Sequence, residues 1–173
     1  MGLDFDPIEE AQTNWKQHGW GDGRAMVAAT SITRAHQIVL ARINAALAPF
    51  DLTFSRFEVL ALLYFARENS LPMGKIGARL QVHPTSVTSL VNRLVSDALV
   101  ERVDHPTDRR TTLVALTARG ANLAPQCAAA LEETGFGVEG LSDRDLDALA
   151  ATITSLREAS GDWQAGDAVR RLL

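Results

Sequence analysis

Lysine is almost missing from this sequence. Of its 17 basic residues, 15 are arginine and only Lys16 and Lys75 are lysine. Cysteine occurs once, at Cys127. One thiol cannot form an internal disulfide, which excludes a disulfide-stapled secreted scaffold and points to a reducing compartment. Nowhere is there a run of about 18 apolar residues, the length a membrane-spanning helix needs. The first residues, MGLDFDPIEE, are acidic and lack the basic and apolar regions of a secretory leader. A cytoplasmic location with no membrane partner is therefore expected. Metal-ligand spacing is also lacking, because His18, His36, His83 and His105 are scattered along the chain. No metal or other cofactor is expected. Nor is there a nucleophile elbow, a Gly-rich phosphate loop or a metalloenzyme motif, so catalysis is not expected.

What remains is a globular composition with uneven charge. Hydrophobic residues make up 46% of the 173 and charged residues 22%, values typical of a folded domain with its own core. The net charge of −4 argues against a nucleic-acid partner until it is divided. Residues 73–120 carry seven basic and four acidic side chains, and the remainder of the chain has a net charge of −7. A basic middle third lies between acidic flanks. Arginine is the better side chain for bidentate and phosphate contacts, although an arginine bias can also reflect genomic composition.

The spacing of apolar residues predicts mostly helix. A short helix is expected from about Pro7 to His18, followed by a Gly-rich connection, and its Trp15 and Trp20 suggest that this extension docks on something. A long Ala-rich helix follows from Arg24 to Ala48 and ends at Pro49. The next runs from Leu52 to Ala66. Ser55 and Glu58 have capping-box spacing there, though Thr53 can equally be the N-cap. A short helix is predicted over Met73–Leu80, and another opens at Pro84, a favourable first position, and runs to about Asp97. Leu99–Val103 and Thr111–Leu116 are short and rich in β-branched residues around a polar HPTDRR segment, which reads as a β-hairpin. Thr117 then caps a helix running toward Glu133, with Pro125 inside it. Gly135, Gly137 and Gly140 break the pattern, and Ser142 with Asp145 caps a last helix. The central block is a winged helix-turn-helix, in a chain that is mainly α with a small β-hairpin wing.

On the helix from Pro84, at about 100° per residue, Val87, Leu90, Val91 and Leu94 share one side. Thr85, Ser89, Asn92 and Ser96 lie opposite, flanked by Ser86 and Arg93. Small hydroxyls and helix N-terminal amides suit phosphates and base edges, and arginine and asparagine read guanine and adenine. Alone, this face reads equally as the solvated side of an amphipathic helix. The adjoining Arg109-Arg110 at a hairpin tip favours DNA, because such a tip can enter the electronegative minor groove. Asp108 beside them can hold a guanidinium in one orientation.

The stretches LTFSRFEVLALL and IGARLQVHPTSVTSLVNRLVSDALVERVDHPTDRRTTLVALTARG resemble the MarR family of bacterial transcriptional regulators. The most specific part is Asp108-Arg109-Arg110 followed by Leu116-Thr117-Ala118-Arg119-Gly120. The resemblance covers about residues 25–160. It implies a homodimer on a pseudo-palindromic operator in double-stranded DNA, acting as a repressor relieved by a small ligand in the bacterial cytoplasm. It divides the chain into an extension (1–23), a MarR-type domain (24–160) and a tail (161–173). Within that domain the DNA-binding lobe spans about 53–117, and dimerisation helices span about 24–48 and 118–160. It places Thr85, Ser86, Ser89 and Arg93 in the major groove, Arg110 in the minor groove and Arg109 on the backbone; Asn92 is added from the helical wheel alone.

Some relatives sense oxidants through an N-terminal cysteine, but Cys127 lies after the wing and reads as a buried structural residue. That leaves an organic effector between the lobes. Arg34, His36 and Arg42 on the first long helix, Arg56, Phe57 and Tyr64 on the second, and Trp15 and Trp20 as a lid would suit an aromatic carboxylate or an acyl- or aryl-CoA thioester. Each of these residues also has an ordinary reading as core or surface. A winged-helix protein-interaction module without operator binding is the alternative function.

Overall fold

The computed structural model describes residues 3–107 and 110–163. These form seven helices, α1 (Pro7–Gln17), α2 (Arg24–Leu47), α3 (Phe54–Tyr64), α4 (Met73–Leu80), α5 (Pro84–Ser96), α6 (Ala118–Glu133) and α7 (Asp143–Ala159). Three strands, β1 (Ser70–Pro72), β2 (Val100–Asp104) and β3 (Thr112–Leu116), make an antiparallel sheet in the order β1-β3-β2. Among the described residues no single helix is long and apolar enough to cross a membrane.

The core lies where α3, α5, α6 and the sheet meet. Leu60, Leu63, Ile76, Val91, Leu94, Val114 and Leu131 are fully buried, and Leu47 joins them from the end of α2. Cys127 is buried with them, and desolvation pushes its thiol up to about 11, so it remains protonated near neutral pH. The hairpin forms as the sequence suggests, with Val100 opposite Leu116 and Asp104 opposite Thr112. The strand β1 was not expected. It holds only three residues and ends in proline, and it pairs Ser70 with Ala115 and Leu71 with Val114 at the sheet edge, where proline is tolerated.

Helix ends show which capping signals operate. Ser142 Oγ accepts from Asp145 N–H at 3.3 Å, as the spacing predicts. The N-cap of α3 is Thr53, but its side chain makes no capping bond. Asn44, ten residues earlier on α2, supplies Oδ1 to Phe54 N–H at 2.9 Å instead. A long-range carboxamide thus replaces the capping box suggested by Ser55 and Glu58.

Thr117 joins three elements. Its hydroxyl donates to Ala98 O at 2.8 Å and accepts from Gly120 N–H at 3.1 Å, capping α6. Its own N–H donates to Leu99 O at 3.1 Å. The residue therefore ties the turn after α5, the end of β3 and the start of α6 together. The first turn of α6 lies so close to Leu99 that a Cβ on Gly120 would come within 2.0 Å of its carbonyl oxygen.

The helical periphery is open by contrast. The extension does dock: α1 packs on α2, and Trp15 Nε1 donates to Trp20 O at 2.9 Å. No residue of α7 is buried, and its Leu149 and Leu156 are 46% and 53% exposed. Ile32 and Ile38 on α2 are exposed as well.

Candidate nucleic-acid interface

The helix α5 is built to show one side. His83 is its N-cap in extended backbone, with Nδ1 accepting from Thr85 N–H at 3.3 Å, and Pro84 occupies the first helical position. Val87, Val91 and Leu94 are buried. Thr85, Ser86, Ser89, Asn92 and Arg93 are all exposed. The structure thus gathers these five predicted residues on one outward face.

The far end of α5 is pinned. Asp97 ends the helix and pairs with Arg56 of α3 at 2.8 Å. A carboxylate at a helix C-terminus opposes the helix dipole, and the nearby guanidinium offsets that charge. Ala98 then adopts φ 55°, and the N–H groups of Ala98 and Leu99 bond to Val95 O and Leu94 O. This closing turn directs the chain into β2, so the hairpin follows α5 in a fixed direction. Arg110 is exposed at the hairpin end. Asp108 and Arg109 lie outside the described residues.

Two residues beside this face were not among the predicted site residues. Arg102, counted in the sequence only as one basic residue among seven, lies on β2 and donates from Nη2 to Asn92 Oδ1 at 2.6 Å. Glu58 lies in a shallow hollow with Ser55, Leu80, Val82, Ser86, Ser89 and Leu90. Partial burial raises its carboxyl above its ordinary value. Ser86 and Ser89 of this hollow belong to the outward face of α5, so a bound polyanion would sit near an ionisable acid. Duplex affinity should therefore rise as pH falls through the pKa of Glu58, as protonation removes a like charge. Glu58→Gln should bind more tightly at neutral pH and flatten that part of the profile. A pH series of dissociation constants for both proteins checks this, and parallel profiles would count against it.

The eight residues considered for an effector are not brought into one cavity. Arg34 lines a groove of about 710 Å³ with Leu3, Phe5, Ile8, Thr30 and Gln37, and donates to Gln37 Oε1 at 3.1 Å. His36 is exposed on α2 outside that groove. Trp15 and Trp20 meet edge to face, with centroids 5.1 Å apart. Arg42 bonds Gly137 O at 3.0 Å and pairs with Glu139 at 3.2 Å, holding α2 to the turn after α6. Arg56 is committed to Asp97 and Asp51 O. Phe57 is core, and Tyr64 packs edge to face against Phe65.

A core-anchored helix with a polar outer face, followed at once by a β-hairpin, defines a winged helix-turn-helix of the DNA-binding type. Residues 50–111 match the family model described as MarR family. Sco5413, a MarR family transcriptional regulator from Streptomyces coelicolor, is 40% identical with a TM-score of 0.75, over 82% of this chain and 98% of that one. A mutant MarR from E. coli complexed with operator DNA is 25% identical, TM-score 0.70, over 78% and 96%. CouR from Rhodococcus jostii, bound to p-coumaroyl-CoA, is 25% identical, TM-score 0.67, over 80% and 95%. The chain belongs to the MarR family of transcriptional regulators.

Proposed function

We propose that this protein is a homodimeric, sequence-specific repressor that occupies a pseudo-palindromic operator in the cytoplasm and is released by a small organic ligand. The observation that carries the reading is the exposed face of α5, from Thr85 to Arg93, with Arg110 on the hairpin that follows. Asp108 orients Arg110, and Arg109 meets the backbone. The partner of each protomer is a second copy seated on α2 and α7, whose apolar side chains stand exposed.

The two arginines separate under a salt series of operator and random-duplex affinities. Arg93→Ala should cost about 1–3 kcal/mol on the operator and relax preference at one position per half-site. Arg110→Ala should weaken both duplexes together and reduce the salt slope by about 1.8 per dimer, two lost phosphate-type contacts at about 0.9 each. A protein-interaction module would show no salt-dependent duplex binding, and that result would overturn the proposal.

The effector is an aromatic carboxylate or an aryl- or acyl-CoA thioester, seated in the groove beside Arg34. The groove sets the Arg34 cation beside apolar Leu3, Phe5 and Ile8, while its one acid, Asp6, is engaged as the N-cap of α1 by Ile8 N–H, and a CoA thioester is the ligand of the CouR structure. At about a hundred times its dissociation constant a ligand adds about 2.7 kcal/mol, which raises the midpoint by roughly 5–10 °C. A thermal-shift screen of phenolic acids and their CoA thioesters, with Arg34→Gln as the control, reads this directly.

A further inference from the structure

Asn92 occupies the outward face of α5 one turn beyond Ser89, and its carboxamide is already engaged. Arg102 reaches it from β2, with Nη2 to Oδ1 at 2.6 Å. A guanidinium carries only donors, so the group facing it is the carboxamide oxygen and the amide nitrogen points elsewhere. Reading adenine takes both halves of an asparagine: the oxygen accepts from N6 and the nitrogen donates to N7. Here a short charge-assisted bond holds one lone pair of that oxygen. A donor approaching the second lone pair meets the positive charge of Arg102. The remaining amide N–H groups and the unused guanidinium N–H groups form an array of donors, and guanine is the base whose major-groove edge offers two acceptors, O6 and N7.

We propose that Asn92 and Arg102 act as one donor-only unit that selects guanine, not adenine, at one position in each half-site. Arg102 is a specificity-determining residue that acts partly through Asn92, although it lies outside the recognition helix. The inference rests on the operator-binding reading above.

The experiment begins with the full-length wild type selecting its operator from randomised duplexes. Each base pair of one half-site is then varied in turn and binding measured for wild type, Asn92→Ala, Arg102→Met and Arg102→Lys. The position at which Asn92→Ala loses discrimination is the one the unit reads. Wild type should prefer guanine over adenine there by about tenfold or more. Arg102→Met keeps the aliphatic stem but frees Oδ1, so it should shift that preference toward adenine by about tenfold and leave the other positions unchanged. Arg102→Lys restores a donor and should retain guanine. Three results overturn the inference: a wild type that selects adenine at that position, an Arg102→Met variant with the wild-type preference, or an Arg102→Met variant that loses operator and random duplex equally, as a phosphate contact would. If the wild type selects no sequence at all, the operator-binding reading itself has failed.

Discussion

Replacing Gly120 with alanine should lower the thermal midpoint by about 10 °C. The new Cβ would lie 2.0 Å from Leu99 O and 3.0 Å from the carbonyl carbon, both backbone atoms, so no side chain can rotate away to make room. Either α6 lifts from the sheet or the turn after α5 moves. Overpacking of this kind costs about 3 kcal/mol or more, which for a chain of this length is a shift of roughly 6–12 °C. The control is Gly74→Ala in α4. A Cβ there meets nothing within 4 Å, and alanine in a compatible helical site adds about 0.4–1 kcal/mol of stability. Calorimetry on both variants should give shifts of opposite sign. Equal shifts would mean that the close approach to Leu99 is not what requires glycine.

The second large effect concerns assembly. Leu149→Glu combined with Leu156→Glu should yield a folded monomer at micromolar concentration, with operator affinity reduced a hundredfold or more. Both leucines are about half exposed on α7, a helix with no buried residue, so the isolated fold does not depend on them. An obligate two-fold interface buries on the order of 2,000 Å² or more, and each unpaired carboxylate placed inside it costs several kcal/mol. The loss of operator affinity follows because a dimer engages two half-sites and a monomer one. Sedimentation velocity and operator titration, alongside an unchanged melting profile of the monomer, check the three parts. A dimer that survives both substitutions would place the interface elsewhere.

Much of this architecture is legible because its signals are local. The valines and leucines of α5 repeat at helical spacing, Pro84 marks its start, and the β-branched runs around HPTDRR mark the hairpin. What escaped is held by contacts distant in sequence. The strand β1 has no alternation of its own over Ser70–Pro72 and exists because β3 supplies its ladder. The cap of α3 comes from Asn44. The stops of α4 and α5 fall where the sequence reading puts them, at Leu80 and close to Asp97, although the left-handed positions that follow, usually glycine, are Gln81 and Ala98. The site divides in the same way. Outward polar residues on α5 could be read from a helical wheel, whereas Arg102 reaches Asn92 from a neighbouring strand. For the effector residues, side-chain type does not distinguish a ligand contact from a tertiary bond. Arg42 and Arg56 have the chemistry of anion receptors and are used to hold α2 and α5 in place.

The junction at Thr117 has a mechanical consequence. It is a fulcrum with two unequal arms. On one side α6, at about 1.5 Å per residue, extends roughly 24 Å into the helical periphery. On the other, the five residues of β3, at about 3.3 Å per residue, project roughly 17 Å to the end of the paired strands. The hydroxyl of Thr117 bonds both the helix start and the turn after α5, so a rotation of one arm about this residue would carry the other. A rotation of about 10° at this pivot would carry the far end of the paired strands by about 3 Å over that 17 Å arm, comparable to the length of a hydrogen bond made in a groove. Under the function proposed above, an effector that tilted the long arm slightly would withdraw the short arm from DNA without unfolding either.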